Sequence, residues 1–448
     1  MSRDMTQGGL AGLLVRFSIP LILSGLLQQL YAWADAFIVG NVEGEGALAA
    51  VGATAAVSNL FVLVITGITL GPSLVSARLW GQGRREELQS VLSSFVVVLG
   101  GVFLVVGLGG SAAVRPILSA IHTPELDQAC QYLGIVLLGL PFVAIYNVYA
   151  AVLRGMGDSR VPLLAVLVAS VVNVGLDLLL VAGLGQGVAG AAAATVAAQG
   201  MMMVFIILYT VFRLPELRFR PGRGCVSGIN LREGLALGLP SALQSSINSL
   251  GGVALQDFMN GFGTQTVAAI TTAYRVDMVL LLPITNLSSG ISTVTAQNMG
   301  AGLPRRAGET LRVGGAMMTV TSLALTGLVL VVGRPLISLF GVTEQAAEQG
   351  GAFFANIAGF YLIYGLAMAM RGFLEGLGDV LYSSLTGIGT LGVRIALSYA
   401  LAPWTGWRVI AWAEAAAWCL MLALYWVRCR AKGRRLTGNT GGRDGAPV

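Results

Sequence analysis

Apolar stretches long enough to cross a bilayer recur along nearly the whole chain, and this one feature decides most of what the chain can become. Hydrocarbon satisfies no backbone hydrogen bonds, so such stretches fold as transmembrane helices or as strands of a closed barrel. Barrel strands alternate polar and apolar residues, and these runs do not. The expected fold class is therefore all-α and polytopic. Composition agrees: 55% of the 448 residues are hydrophobic, 11% are charged, and mean hydropathy is +0.79.

The first apolar run is longer than a signal-peptide core and lacks a convincing cleavage site, so it is expected to stay as helix 1. The cysteines (Cys130, Cys225, Cys419, Cys429) form no CxxC pair and have only His122 to join them, which argues for free thiols over a metal or disulfide framework. A formal charge of +6 could suggest nucleic acid. The arginines instead sit in short loops between spans, where membrane topology explains them and no nucleic-acid partner is expected.

Apolar length and Gly/Pro/charge breaks predict twelve helices near 13–39, 47–77, 89–111, 126–153, 161–183, 187–212, 232–260, 266–297, 307–333, 346–374, 380–402 and 407–429. Most arginines, including Arg84, Arg85, Arg154, Arg160, Arg305, Arg306 and the tail from Arg428 to Arg443, fall on one side, against Arg115, Arg334 and Arg408 opposite. The positive-inside rule then places both termini in the cytoplasm, with the chain in the cytoplasmic membrane.

The chain repeats itself at an offset near 220 residues. Pro20 matches Pro240, Gly40 matches Gly261, Gly81–Gly83 "GQG" matches Gly300–Gly302 "GAG", Arg115 matches Arg334 in "RP", and "RGMGD" from Arg154 matches "EGLGD" from Glu375. Six spans per repeat put both copies in one orientation, predicting two similar lobes with a cleft between them. The expected organisation is an N-lobe over 1–212, a linker over 213–231, a C-lobe over 232–430 and a basic tail over 431–448.

Ionisable residues inside spans are costly and mark function or fixed pairing. In the first repeat they are Asp35 and Asp177, with no arginine or lysine well inside a span. At about 1.5 Å rise per residue, Asp35 lies roughly 6 Å, Asp177 roughly 9 Å and Thr195 roughly 12 Å below the outer boundary. Asn173 precedes Asp177 by four residues and shares its face. Two acids, an amide and a hydroxyl can thus meet in one lobe. Unpaired carboxyls there would share a proton or bind Na+ through the same oxygens. The plainer alternative is that each acid caps an outer helix end facing water.

In the second repeat, Arg394 aligns with Asn173 and Glu414 falls close to Thr195, so an ion pair is expected there, and Arg275 could pair with Asp257. Asp257 and Asp277 remain candidate ion or substrate residues. Pro20 sits mid-span in helix 1 and lets it bend.

Twelve helices in two parallel repeats, "IPLILSGLLQQLYAWADAFIVGN" in helix 1, "RGMGDSRVP" after helix 4, "NVGLD" in helix 5 and "GVAGAAAAT" in helix 6 together resemble the multidrug and toxic compound extrusion (MATE) family, closest to its DinF-type branch. The resemblance spans roughly residues 10 to 430. It implies a cation site at Asp35, Asn173, Asp177 and Thr195, a helix-bending role for Pro20, and export of organic cations or drugs by alternating access. It also implies coupling to H+, the favoured ion, or to Na+, with no cofactor and a monomer in the bilayer. A flippase for lipid-linked oligosaccharide is the alternative, expected to show extra helices and a basic cleft. A membrane-embedded enzyme would need a nucleophile and base or a metal cluster, and neither HExxH nor GxSxG occurs.

Overall fold

The computed structural model describes residues 4–120, 123, 125–219 and 226–438, without side chains for 434–438. His122, Cys225 and the tail from 439 lie outside the described residues. Among the described residues every regular element is helical. The α-helices are α1 (Leu10–Val42), α2 (Glu45–Gly81), α3 (Arg85–Ala112), α4 (Val114–Ala120), α5 (Leu126–Leu138), α6 (Leu140–Gly155), α7 (Arg160–Asp177) and α8 (Gly187–Arg213). They continue as α9 (Gly228–Asn260), α10 (Thr264–Leu280), α11 (Leu282–Gly300), α12 (Pro304–Ser338), α13 (Glu344–Ile357), α14 (Tyr361–Gly376), α15 (Val380–Thr405) and α16 (Val409–Gly438).

Among the described residues, nine helical segments are long and apolar enough to cross a bilayer, or ten with α5 and α6 as one bent span, against the twelve expected. One of the nine runs over Val380–Gly433, 54 residues that hold both α15 and α16, and α9 is not among them. Those two places account for the difference.

Contacts divide the chain into two compact units: Met1–Asp4 with Pro20–Ala242, and Met5–Ile19 with Leu243–Val448. The division differs from the expected one at 213–231. It cuts α1 at Pro20 and α9 two residues after Pro240. A proline inside a helix removes one rung of the hydrogen-bond ladder and clashes with the preceding turn. Each proline thus sits where a helix passes from one packing environment to the other.

In the first unit, α2 packs on α6 and on the leading part of α9. Gly71 faces Gly234, and Gly67 faces Ser241 and Ala242, so closely that a methyl group at either glycine would collide with backbone. Small residues let helices approach this closely where no hydrophobic effect drives them together. Arg78 and Glu233 close the same contact at 3.3 Å. In the second unit, the amide of Met5 donates to Gln297 at 3.0 Å, and Arg306 donates to the Gly8 carbonyl at 2.6 Å. These bonds hold the start of the chain against α11 and α12.

The repeated glycine motifs are helix stops. Gly83, Gly157, Gly302 and Gly378 all have φ between 71° and 84°. In each case the next amide reaches back to close the helix: Arg84 to Leu79, Asp158 to Leu153, Leu303 to Asn298 and Asp379 to Leu374, at 2.8–3.0 Å. This is the Schellman arrangement, which needs a left-handed residue. The paired "RP" sites also behave alike, Arg115 bonding Asp127 and Arg334 bonding Glu344.

Candidate functional site

Helix α1 carries Gln28, Tyr31 and Asp35 at spacings of three and four, which align them on one face. Helix α7 does the same for Asn173 and Asp177, and α8 contributes Thr195. Asp35, Asn173 and Asp177 are buried, Asp177 completely. Oδ1 of Asp35, both carboxylate oxygens of Asp177 and both polar atoms of the Asn173 amide are buried without a hydrogen-bond partner. Asp35 lies within electrostatic range of Asp177. Among the described residues no ion pair reaches either acid. Buried polar atoms are nearly always partnered, so five orphans in one cluster call for a missing partner.

Thr195 Oγ1 donates to the Ala191 carbonyl at 3.0 Å and also meets the Tyr132 side chain. Thr195 and Asn173 line a cavity of about 120 Å³ together with Gln28, Tyr31, Tyr146 and Gln199. The two carboxylates are not in this lining and adjoin it through Tyr31 and Asn173, one turn away on the same helices. Tyr31, Tyr146 and Met202 are aromatic and methionine residues that the sequence offers as cavity lining, whereas Gln28 and Gln199 were not singled out there. Gln28 could have been, from its spacing of seven before Asp35.

Asp177 is also the last α-helical residue before a π-helix, Leu178–Gly183. Such π turns are rare, and they gather at functional sites because they shift the register of the side chains that follow. In the second unit α15 occupies the corresponding place and continues as an α-helix to Thr405.

The second unit holds a different polar cluster. Arg394 Nη2 lies 3.0 Å from Glu414 Oε2, the pairing expected from the sequence, and 2.6 Å from the Tyr274 hydroxyl oxygen. The Arg394 guanidinium carbon lies 5.6 Å from the Tyr274 ring centroid. Asp277 is buried and accepts a hydrogen bond from the Tyr361 hydroxyl. Two acids and one arginine therefore share a buried network in which every charged side chain is partnered.

Arg275 and Asp257 correct an expectation. Both are exposed, and among the described residues no ion pair joins them. Arg275 and Asp277 are two positions apart, about 200° around an α-helix, so burying Asp277 turns Arg275 outward. Asp257 stands on an exposed face three residues from the end of α9. Neither belongs to the buried network.

Among the described residues, no group of three or more His, Cys, Asp or Glu side chains has the makings of a metal centre.

A probable multidrug resistance protein of Bacillus subtilis, YpnP, is 28% identical over 390 residues, covering 84% of this chain and 85% of its own. A second from that organism, YoeA, is 26% identical over 407 residues, covering 88% and 87%. A solved MOP superfamily transporter from Pyrococcus furiosus superimposes with a TM-score of 0.90 at 22% identity, covering 97% of this chain and 98% of that one. The MatE family model matches residues 20–179 and again 240–400. The two matches start 220 residues apart, at Pro20 and Pro240, and together cover well over half of the sequence. The chain belongs to the MATE family of multi-span membrane transporters.

Proposed function

We propose that this protein is a secondary active multidrug exporter that exchanges organic, often cationic and amphipathic compounds for H+ by alternating access, with Na+ as the other candidate ion. The single observation that carries this reading is the cluster of Asp35, Asn173 and Asp177, whose buried polar atoms lack partners beside a polar-lined cavity. A proton or Na+ on the paired carboxylates supplies the missing partner and neutralises buried charge. Names given to the relatives, multidrug resistance proteins, support the substrate class.

In this reading protons enter from outside to Asp35 and Asp177, α1 bends at Pro20, and bound compound leaves the cavity. The units then reorient, the protons leave to the cytoplasm and compound rebinds. Both termini face the cytoplasm, the membrane is the cytoplasmic one and the working unit is a monomer. Each proton contributes about 2.3 kcal/mol per 100 mV and about 1.4 kcal/mol per pH unit. One or two suffice for concentrative export.

The test is efflux of a fluorescent cation from proteoliposomes under separately imposed pH and Na+ gradients. Wild type is expected to respond to the pH gradient, and Asp35→Asn and Asp177→Asn to respond to neither. Undiminished gradient-driven efflux in both variants would refute the assignment.

A further inference from the structure

Away from the polar clusters, α14 and α16 run side by side toward the same end of the second unit and leave a groove of about 470 Å³ between them. Ile363, Leu366 and Met370 form one wall, at helical spacings of three and four. Cys419, Leu422 and Trp426 form the other, and the lining is apolar throughout. The thiol of Cys429 lies 3.8 Å from the Met370 carbonyl, which fixes the register at the C-terminal end.

The groove ends at a cation. Arg430 follows Cys419 by eleven residues and Trp426 by four, so all three lie on one face of α16. The Arg430 guanidinium carbon lies 3.7 Å from the centroid of the exposed Trp426 ring. Its neighbours are committed elsewhere: Arg428 and Lys432 both bond Asp379, at 2.7 and 3.6 Å. Among the described residues no carboxylate pairs with Arg430, which is exposed.

The length of the groove fits one leaflet of a bilayer. From Cys419 to Arg430 the helix rises about 16 Å, and half of a hydrocarbon core is about 15 Å. A tryptophan followed by an unpaired arginine at a helix end is the pattern of a membrane interface with anionic headgroups. We propose that the groove between α14 and α16 retains one acyl chain of an anionic phospholipid whose phosphate is held by Arg430. The occupant is a lipid of the leaflet at the C-terminal end of α16, bound as a distinct ligand rather than as passing solvent.

The full chain, purified in detergent and mixed with phosphatidylglycerol or phosphatidylcholine of identical acyl chains, tests this by native mass spectrometry. Wild type should retain phosphatidylglycerol over phosphatidylcholine by about fivefold, the ratio that one interfacial cation supplies. Arg430→Gln should abolish the preference while leaving some retention of both lipids. Cys419→Trp, which fills the groove at the end away from Arg430, should reduce retention of both. Leu366→Trp fills it from the other wall and serves if Cys419→Trp fails to fold.

Equal retention of the two lipids by wild type would overturn the proposal, as would unchanged phosphatidylglycerol retention in Arg430→Gln and the groove-filling variants. Displacement of the lipid by glycerol phosphate alone would reduce the feature to an anion site without an acyl groove. A dimer lost on filling the groove would assign the face to a second copy. Either result would also overturn it.

Discussion

At the scale of residues, the protein places two carboxyl pairs in opposite circumstances. Asp35 and Asp177 have orphaned oxygens and no cation, whereas Glu414 has Arg394 and Asp277 has Tyr361. In the proposed exchange the unpaired couple takes up and releases a proton or Na+, whereas the paired one is held in a fixed network. The two acids of the couple act as one unit, so Asp35→Asn, Asp177→Asn and the double variant should show similar loss. With one coupled charge removed, the attainable compound gradient should fall about fiftyfold per 100 mV, read from steady-state accumulation in vesicles. A double variant much worse than both singles would mean separate sites. For the fixed network, Arg394→Leu strands buried charge and should destabilise by about 3–5 kcal/mol in detergent unfolding. Arg394→Leu combined with Glu414→Leu should recover most of that loss.

At the scale of elements, Pro20 and Pro240 mark where α1 and α9 change packing environment. Pro20→Ala restores a rung of the ladder in α1 and should stiffen it, raising thermal stability while slowing turnover with substrate binding retained. Unchanged turnover would remove bending of α1 from the mechanism. The turn into α15 carries a second prediction. Burial raises the Asp379 carboxyl, but the hydrogen bond from Arg428 and the charges of Lys432 and Arg428 outweigh it, leaving it below its ordinary value of 3.8. A depressed carboxyl contributes stability above its unfolded value and loses it as pH falls through the folded one. Wild type should therefore lose thermal stability on acidification below about pH 4 more steeply than Asp379→Asn, which lacks that group.

At the scale of the whole molecule, much was legible in sequence because bilayer solvation is a strict filter. Each expected apolar span falls on helix, and the repeat offset reappears in the two family matches. The Asp35, Asn173 and Asp177 cluster could be read because depth along a helix is set by residue count. What escaped was tertiary. The exchange of the leading parts of α1 and α9 depends on which faces pack after a proline, and apolar periodicity does not encode that. The π turn after Asp177 has no local sequence signature, and Arg275 could be placed only once the burial of Asp277 had fixed the rotation of α10. Topology makes its own prediction. A protease-cleavable tag at either terminus should survive external protease in intact spheroplasts and be cut only after lysis, and cleavage at either end before lysis would invert the proposed orientation.

In the proposed exchange, exported compound and coupling proton compete through Asp35 and Asp177. Proton release on adding a transported cation to the purified protein in weakly buffered, Na+-free solution measures this directly. Wild type should release protons in proportion to compound bound, while Asp35→Asn combined with Asp177→Asn should bind compound without release. Equal proton release from wild type and the double variant would contradict the account.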